Sequence, residues 1–192
     1  PGNPMIPKLG SVGRPVAYAD VRIVDETGAP LPTGQPGEVI VRGPQVMNGY
    51  WNRPEETAQA MRGGFYHTGD AGFLDEDGYL TLVGRTKEMI ISGGENVYPI
   101  ETENALSKHP AVAQAAVIGL PHEKWGEMVF AVVALHEGKT VTEADLIAFC
   151  RERIADYKAP RGVKVWDGPL PLSATNKIDK NAIKSQMLKD TA

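Results

Sequence analysis

The sequence predicts an α+β protein, with a small β-rich subdomain followed by a compact α+β domain. Residues 10–85 consist of short apolar runs separated by turns rich in Gly and Pro, a pattern typical of short strands. After Arg85, longer apolar runs rich in β-branched residues alternate with segments of helical periodicity. The change falls at GRTKE, so we predict a first domain over 1–86 and a second over 87–192.

The first domain is predicted to contain four strands and one short helix. VAYADVRIVD and GEVIVRG alternate apolar and polar residues, as half-buried strands do. FLDEDGYLTLVGR places two apolar arms around Asp77-Gly78, which is typical of a β-hairpin. The helix begins at Pro54, and the two acidic residues after it suit the positive end of the helix dipole. These elements indicate a small barrel or sandwich.

The second domain is predicted to mix helices with buried strands. Thr142 opens a T-E-A-D segment that resembles a capping box, and apolar residues follow it at helical spacing. Asp179 is a candidate N-cap for the last helix. In chain order the predicted elements are a helix over 99–107, strands over 112–120 and 128–136, the helix after Thr142, a strand at GVKVW and the helix after Asp179.

The composition is that of an ordinary globular protein, and it argues against several classes. The 192 residues carry a net charge of -4, which does not suit a nucleic-acid binder. No apolar run is long enough for a transmembrane segment, and no signal peptide is recognised. Cys150 is the only cysteine, so no disulfide can form within the chain, and this fits the cytoplasm.

The charge is unevenly distributed along the chain. Residues 151–192 carry 9 Lys and Arg against 5 Asp and Glu, a net of +4, whereas residues 1–150 carry 11 against 19, a net of -8. A basic end on an acidic chain can meet an anionic ligand such as a nucleotide. A solvated helix face gives the same pattern, so the charge alone leaves both interpretations open.

Four polar segments are candidate binding elements. They are YHTGD at 66–70, GRTK at 84–87, SGGEN at 92–96 and PLPLSATNKIDK at 169–180. An Asp after a Gly turn can accept hydrogen bonds from a vicinal diol such as ribose, and an Arg offers a forked, permanently charged donor. Adjacent glycines let a ligand approach the backbone closely. Each segment also has a plainer interpretation: a closed turn, a surface salt bridge, a hairpin loop and a solvated lysine.

In this order and spacing, the segments resemble the C-terminal motifs of the acyl- and aryl-CoA synthetases. These enzymes belong to the adenylate-forming family, together with luciferases and nonribosomal-peptide adenylation domains. The resemblance covers residues 10–184 and rests on GEVIVRGPQVMNGYWNRPEET, YHTGD, the D-E-D-G-Y hairpin, GRTKEMIISGGENVYPIETE and the late N-K-I-D-K. It implies that residues 1–86 form the β-barrel-like end of a large adenylating domain and that 87–192 form its mobile C-terminal domain.

The resemblance implies a reaction in two halves. A carboxylic acid attacks the α-phosphate of ATP to give an acyl-adenylate and pyrophosphate, and the thiol of CoA then displaces AMP. By their places in the motifs, Asp70 and Arg85 would bind the ribose, and Lys177 would bridge the acid and the phosphate during attack. Lys87 occupies the hinge position. The family usually has Gly where this chain has Asn176, a residue that tolerates a left-handed backbone.

For the second half, the resemblance places the glycine loop along the pantetheine arm of CoA. Gly93 and Gly94 would let the wall of a narrow tunnel come close to the arm. Lys158 and Arg161 are candidates for contacting the CoA phosphates. No His, Cys or Asp cluster has metal-ligand spacing, so any Mg²⁺ is expected to arrive with ATP. The other members of the loop are Ser92, Glu95 and Asn96.

The implied function is that of the C-terminal part of an ATP-dependent carboxylic acid–CoA ligase for a fatty or aromatic acid. Because the family's Ser/Thr/Gly-rich phosphate loop is absent from these residues, the chain alone is expected to be inactive without an N-terminal domain. One alternative is a nonribosomal-peptide adenylation domain, which usually runs on into a carrier protein. Another is a non-catalytic nucleotide- or CoA-binding module, which would not need Asp70, Lys87 and Lys177.

Overall fold

The computed structural model describes residues 8–190, so residues 1–7 and 191–192 lie outside the described part. The chain divides into two compact units, one over Pro1–Lys87 and one over Glu88–Ala192. Both combine helices with mainly antiparallel sheets, which confirms the predicted α+β class.

The first unit is built on one four-stranded antiparallel sheet in chain order. Its strands are β1 (Asp20–Val24), β2 (Gly37–Arg42), β3 (Tyr66–Leu74) and β4 (Leu80–Arg85), with the helix α1 (Pro54–Ala60) between β2 and β3. The hairpin around Asp77-Gly78 is confirmed, because Leu74 pairs with Leu80 across it. A barrel-like closure would need further strands to join β1 to β4, and it stays a prediction.

The core of this sheet is closed by an aromatic ring between two arginines. Phe65 packs with Val24 and Ile40, and all three side chains are buried. The guanidinium groups of Arg22 and Arg42 lie 4.7 Å and 4.6 Å from the centroid of the Phe65 ring. Such cation–π contacts cover the ring while the charges stay near water. The arrangement therefore closes a small core on this sheet.

The second unit contains a five-stranded sheet with helices on both faces. Within it, β8 pairs with β5, β7 and β9, and β9 alone runs parallel to its neighbour. No helix in residues 8–190 is long and apolar enough to cross a membrane. The elements are β5 (Ile90–Ser92), β6 (Glu95–Val97), α2 (Pro99–Leu106), β7 (Val112–His122), β8 (Gly126–Leu135), α3 (Glu143–Arg151), β9 (Gly162–Val165) and α4 (Lys180–Asp190).

Both predicted helix caps of this unit are confirmed. Thr142 Oγ1 accepts a hydrogen bond from the Asp145 backbone N–H at 3.2 Å, which gives α3 its first turn. Asp179 Oδ1 accepts from the Ala182 N–H at 3.0 Å at the start of α4. Each cap satisfies a backbone donor that has no partner inside the helix.

Neighbouring residues of β8 belong to two different cores. Ala131 and Val133 face the core formed with α2 and α3, which includes Leu146 and Cys150. Val132 and Ala134 face the core formed with α4, which includes Ile183 and Met187. A strand covered on both faces has no polar side, and this explains the continuous apolar run in the sequence.

Cys150 predicts a loss of stability in alkali. Its thiol is fully buried, and burial raises its pKa from 9.0 to about 11. Between these values the unfolded chain releases a proton that the folded chain keeps, so the free energy of unfolding falls as the pH rises. The total loss is about 3 kcal/mol, since one pKa unit corresponds to about 1.4 kcal/mol. Urea unfolding at about pH 8 and about pH 11 measures it.

Cys150→Ala is the matched control for this effect. The variant loses packing at both pH values but has no thiol to ionise, so its stability should depend less steeply on pH. An equal slope in both proteins would contradict the assignment of the effect to Cys150.

Candidate functional site

In the first unit, Asp70 and Arg85 face each other across two strands. They are directly paired in the register of β3 and β4, and Arg85 Nε lies 3.0 Å from Asp70 Oδ1. Thr68 Oγ1 accepts from the Asp70 N–H at 3.0 Å and donates to the Val39 carbonyl at 2.7 Å. The Asp70 side chain stays 33% exposed, so a ligand can reach it. The structure thus brings together two residues that the motifs assign to one ribose.

A cleft in the same unit begins beside this pair. Its volume is about 790 Å³, and Gly69, Thr86 and Lys87 are among its lining residues. Tyr66 also lines it, and its hydroxyl lies 3.4 Å from that of Tyr50. This hydrogen bond, together with burial, raises the pKa of Tyr66. The Tyr66 phenol therefore stays neutral at neutral pH and can donate a hydrogen bond to a polar ligand.

The glycine loop is a tight hairpin between β5 and β6. Ser92 pairs with Glu95, and the two residues between them, Gly93 and Gly94, have φ angles of 63° and 87°. A two-residue turn with positive φ at both positions twists with the strands and favours glycine. The backbone of SGGEN therefore forms a hairpin loop, as the simpler of the two interpretations predicted. This leaves the predicted CoA role of Ser92, Gly93, Gly94, Glu95 and Asn96 open.

The structure adds a feature of this hairpin that the sequence analysis missed. The Gly93 N–H donates to the Trp125 carbonyl at 2.9 Å, and a Cβ added at Gly93 would lie 2.8 Å from the Trp125 ring. The indole therefore forms a wall directly against the glycine. No local signal in the sequence links Trp125 to Gly93, because the two residues are 32 positions apart.

Gly93 and Gly94 differ in what a side chain would meet, which gives a matched pair of variants. A Cβ at Gly94 would meet nothing within 4 Å, whereas one at Gly93 would strike the Trp125 ring. We expect Gly94→Ala to cost about 1 kcal/mol of stability for its left-handed backbone. Gly93→Ala should cost about 2–4 kcal/mol, because overpacking is added. Urea unfolding compares the two, and equal losses would contradict the close approach of Trp125.

Arg161 and Lys158 differ in their surroundings. The Arg161 guanidinium lies 4.1 Å from the centroid of the Trp125 ring, next to the glycine hairpin. Lys158 Nζ instead pairs with Glu101 Oε2 at 2.6 Å. Burial lowers the pKa of Lys158, but the Glu101 carboxylate more than offsets this, and the pKa is raised overall. Lys158 is therefore charged and already paired with Glu101, whereas the Arg161 guanidinium lies on the Trp125 ring beside the glycine hairpin.

Two buried polar atoms near the hairpin lack partners. Among the described residues, neither Ser92 Oγ nor Arg161 Nε has a hydrogen-bond partner. Ser92 is only 4% exposed and precedes the turn, and Arg161 covers Trp125. Buried donors without partners are rare, and they indicate a group that the protein atoms do not supply. Hydrogen bonding within the described residues is therefore incomplete at this hairpin.

Lys177 lies at the end of a turn in the second unit. Leu172 and Ile178 pair across the turn, and the Ser173 N–H donates to the Lys177 carbonyl at 2.7 Å. Asn176 has a φ of 61°, so the left-handed conformation that Gly usually provides is kept. Lys177 itself is exposed. The turn holds the backbone and presents the ammonium group to solvent.

The described residues offer no ready metal site. Within 8–190, no group of three or more His, Cys, Asp or Glu side chains could hold a metal ion. Chemically, the chain presents the paired Asp70 carboxylate and Arg85 guanidinium in the first unit, and a glycine hairpin and an exposed lysine in the second.

Two family models match separate parts of this chain. The AMP-binding enzyme model matches residues 2–51, and the AMP-binding enzyme C-terminal domain model matches residues 101–177. The chain belongs to the AMP-binding enzymes. This confirms the resemblance that the motifs carried.

Curated AMP-binding enzymes with high identity are CoA ligases. Feruloyl-CoA synthase from Amycolatopsis sp is 46% identical over 177 residues, which are 92% of this chain and 36% of the relative. 2-Succinylbenzoate–CoA ligase from Geobacillus kaustophilus is 48% identical over the same shares. The chain thus spans about a third of the length of these relatives.

A solved structure of an AMP-binding enzyme agrees with the fold. It is o-succinylbenzoate CoA synthetase from Bacillus subtilis in complex with the acyl-adenylate intermediate. The TM-score is 0.84 at 41% identity, covering 92% of this chain and 36% of that one. These two relatives and this solved protein are named as enzymes that join an acid to CoA.

Proposed function

We propose that this chain is the C-terminal part of an ATP-dependent carboxylic acid–CoA ligase. The observation that carries the proposal is the 46–48% identity to two CoA ligases over 92% of the chain. The motif residues Asp70 and Lys177 are accessible to a ligand. The reaction joins an acid to CoA through an acyl-adenylate and releases AMP and pyrophosphate. The acid belongs to the fatty or aromatic class, and the reaction takes place in the cytoplasm.

In the adenylation half, Asp70 and Arg85 act on the ribose of ATP. The Asp70 carboxylate accepts hydrogen bonds from the ribose hydroxyls, and the Arg85 guanidinium 3.0 Å away holds it in position. Lys177 supplies a positive charge to the oxygens that gain charge as the acid attacks. Because Lys177 is exposed, its ammonium is free to reach a substrate. Mg²⁺ arrives with ATP and neutralises its phosphates.

In the thioester half, the Gly93-Gly94 hairpin lines the path of the pantetheine arm. Gly94 leaves its part of the backbone open, since a Cβ there would meet nothing within 4 Å, whereas the Trp125 ring packs directly on Gly93 and forms a rigid wall. Arg161 contacts a phosphate of CoA through its guanidinium, which lies on the Trp125 ring next to the hairpin. Lys158 contributes less, because its ammonium is committed to Glu101.

The two halves require different faces of the second unit, and Lys87 is the hinge that exchanges them. The residue is exposed, in the 3₁₀ turn Thr86–Glu88, so its φ and ψ can change without disturbing a core.

The phosphate loop and the acid pocket belong to a larger N-terminal domain, since this chain spans only 36% of its relatives. We therefore expect no turnover by the chain alone.

Pyrophosphate release from ATP over a panel of fatty and aromatic acids tests the proposal. The 192-residue chain is compared with the longer protein that contains it. Release by the longer protein with one class of acid, followed by CoA thioester formation, supports the proposed function and identifies the substrate class. Release without transfer to CoA would contradict the ligase assignment. Activity of the short chain would overturn the assigned roles of the N-terminal domain.

A further inference from the structure

One ammonium group in the second unit joins three segments that are distant in sequence. Lys180 Nζ lies 2.7 Å from Glu88 Oε2 and 2.9 Å from Glu103 Oε1. Glu88 precedes β5, Glu103 is in α2, and Lys180 is the first residue of α4. The Lys180 side chain is 25% exposed and that of Glu103 is 12% exposed. The cluster is therefore partly buried.

The ion pairs of Lys180 with Glu88 and Glu103 fix the position of the first turn of α4. Glu103 Oε1 also accepts from the buried Val117 N–H of β7 at 2.8 Å, so its position is set by the sheet. A carboxylate this deeply buried requires a partner of opposite charge. Burial lowers the pKa of Lys180, but Glu103 and Glu88 outweigh it and raise the pKa, so the ammonium stays charged. Lys180 therefore holds α4 against both α2 and β7.

The two ends of this cluster lie next to the two residues that the proposed mechanism moves. Glu88 directly follows Lys87, and Lys180 is three residues after Lys177. The backbone between Lys177 and Lys180 is held in place by two contacts. Ile178 pairs with Leu172, and the Asp179 N–H donates to the Pro171 carbonyl at 2.8 Å. A displacement of Glu88 is thus transmitted to the Lys177 turn.

We propose that Lys180 is a positioning residue that ties the Lys177 turn to the exit of the hinge through Glu88 and Glu103. The inference rests on the proposed function, which supplies the roles of Lys87 and Lys177. It adds that the adenylating lysine is carried as a rigid extension of the residue next to the hinge. The glycine hairpin is held separately, through its backbone bond to Trp125, and it does not depend on Lys180.

The kinetic test uses Lys180→Met in the longer protein. Loss of the tie should lower the kcat of pyrophosphate release about tenfold, because small displacements of a reacting group are costly. The KM for ATP and thioester formation from supplied acyl-adenylate should stay unchanged. Lys180→Arg should restore most of the rate, since the charge and the reach are kept. An equal loss in both half-reactions would overturn the proposal.

Lys184→Met is the matched control on the same helix. Lys184 lies one turn further along α4, and its Nζ is 3.5 Å from Glu127 Oε1 in a more exposed pair. This variant removes a lysine without touching Glu88 or Glu103, so both half-reactions should keep their rates. Glu88→Gln removes one arm of the cluster and leaves Glu103 paired with Lys180. It should slow pyrophosphate release even if Lys180→Met does not fold.

Amide hydrogen exchange on the 192-residue chain tests the tie without any activity. Lys180→Met should speed exchange in residues 88–90 and 173–178, whereas Lys184→Met should leave both segments protected. Equal protection in both variants would overturn the proposal. If the longer wild-type protein releases no pyrophosphate while the exchange results hold, the proposed function fails and the structural tie stands.

Discussion

Replacing Lys177 with alanine in the longer enzyme is expected to slow pyrophosphate release about 100- to 1,000-fold, the usual effect of removing one group that stabilises transition-state charge. The residue is exposed at the end of a turn whose hydrogen bonds come from the backbone and from Ser173. The substitution therefore removes the ammonium and leaves the turn intact. The measurement is single-turnover formation of acyl-adenylate with saturating ATP and acid.

Thioester formation separates this effect from a general loss of activity. Supplied acyl-adenylate should still react with CoA in the Lys177→Ala protein, because the second half-reaction uses the Gly93-Gly94 hairpin. Lys139→Ala is the control, since Lys139 is also an exposed lysine in a turn of the second unit. Equal losses in both half-reactions, or an equal effect of Lys139→Ala, would contradict the role given to Lys177.

Asp70→Ala is expected to lower kcat/KM for ATP by about a hundredfold or more, because hydrogen bonds to a charged group contribute about 1.5–3 kcal/mol each. In the proposed function the Asp70 carboxylate is the acceptor for the ribose, and Arg85 cannot replace it since a guanidinium has no acceptor. Removing Asp70 also leaves Arg85 without its ion pair at 3.0 Å. Steady-state kinetics with ATP as the varied substrate measure the loss.

A substrate variant tests the ribose contact directly. 2′-Deoxy-ATP should be a poorer substrate than ATP for the wild-type enzyme but nearly equal to ATP for Asp70→Ala, since the carboxylate that distinguishes them is gone. Asp77→Ala is the control, because Asp77 lies exposed at the tip of the hairpin in the same sheet. Full discrimination by Asp70→Ala would show that this residue does not bind the ribose.

Local signals made most elements of this fold predictable. Thr142 and Asp179 cap helices through contacts within three residues, and such contacts are visible in the sequence. The left-handed backbone of Asn176 was expected from the tolerance of asparagine for that conformation. The apolar runs of β7 and β8 were recognisable because burial on both faces leaves no polar side.

Contacts between distant residues were not predictable in the same way. Lys180 and Glu88 are 92 positions apart, and nothing in either segment indicates the other. The contact of Trp125 with Gly93 depends on the pairing of β5 with β8 through Ser92 and Gly126. The candidate residues themselves were found through motif order, whereas their partners follow from the packing of the sheet.

The double coverage of β8 makes this strand intolerant of insertions. Consecutive residues such as Ala131 and Val132 contribute to opposite cores, so adding one residue would exchange the two sets of side chains along the rest of the strand. The layer with α2 and α3 and the layer with α4 would then be mispacked together. Length variation among homologous chains should therefore concentrate in the turns at either end of β8, and the two layers should melt as a single cooperative unit.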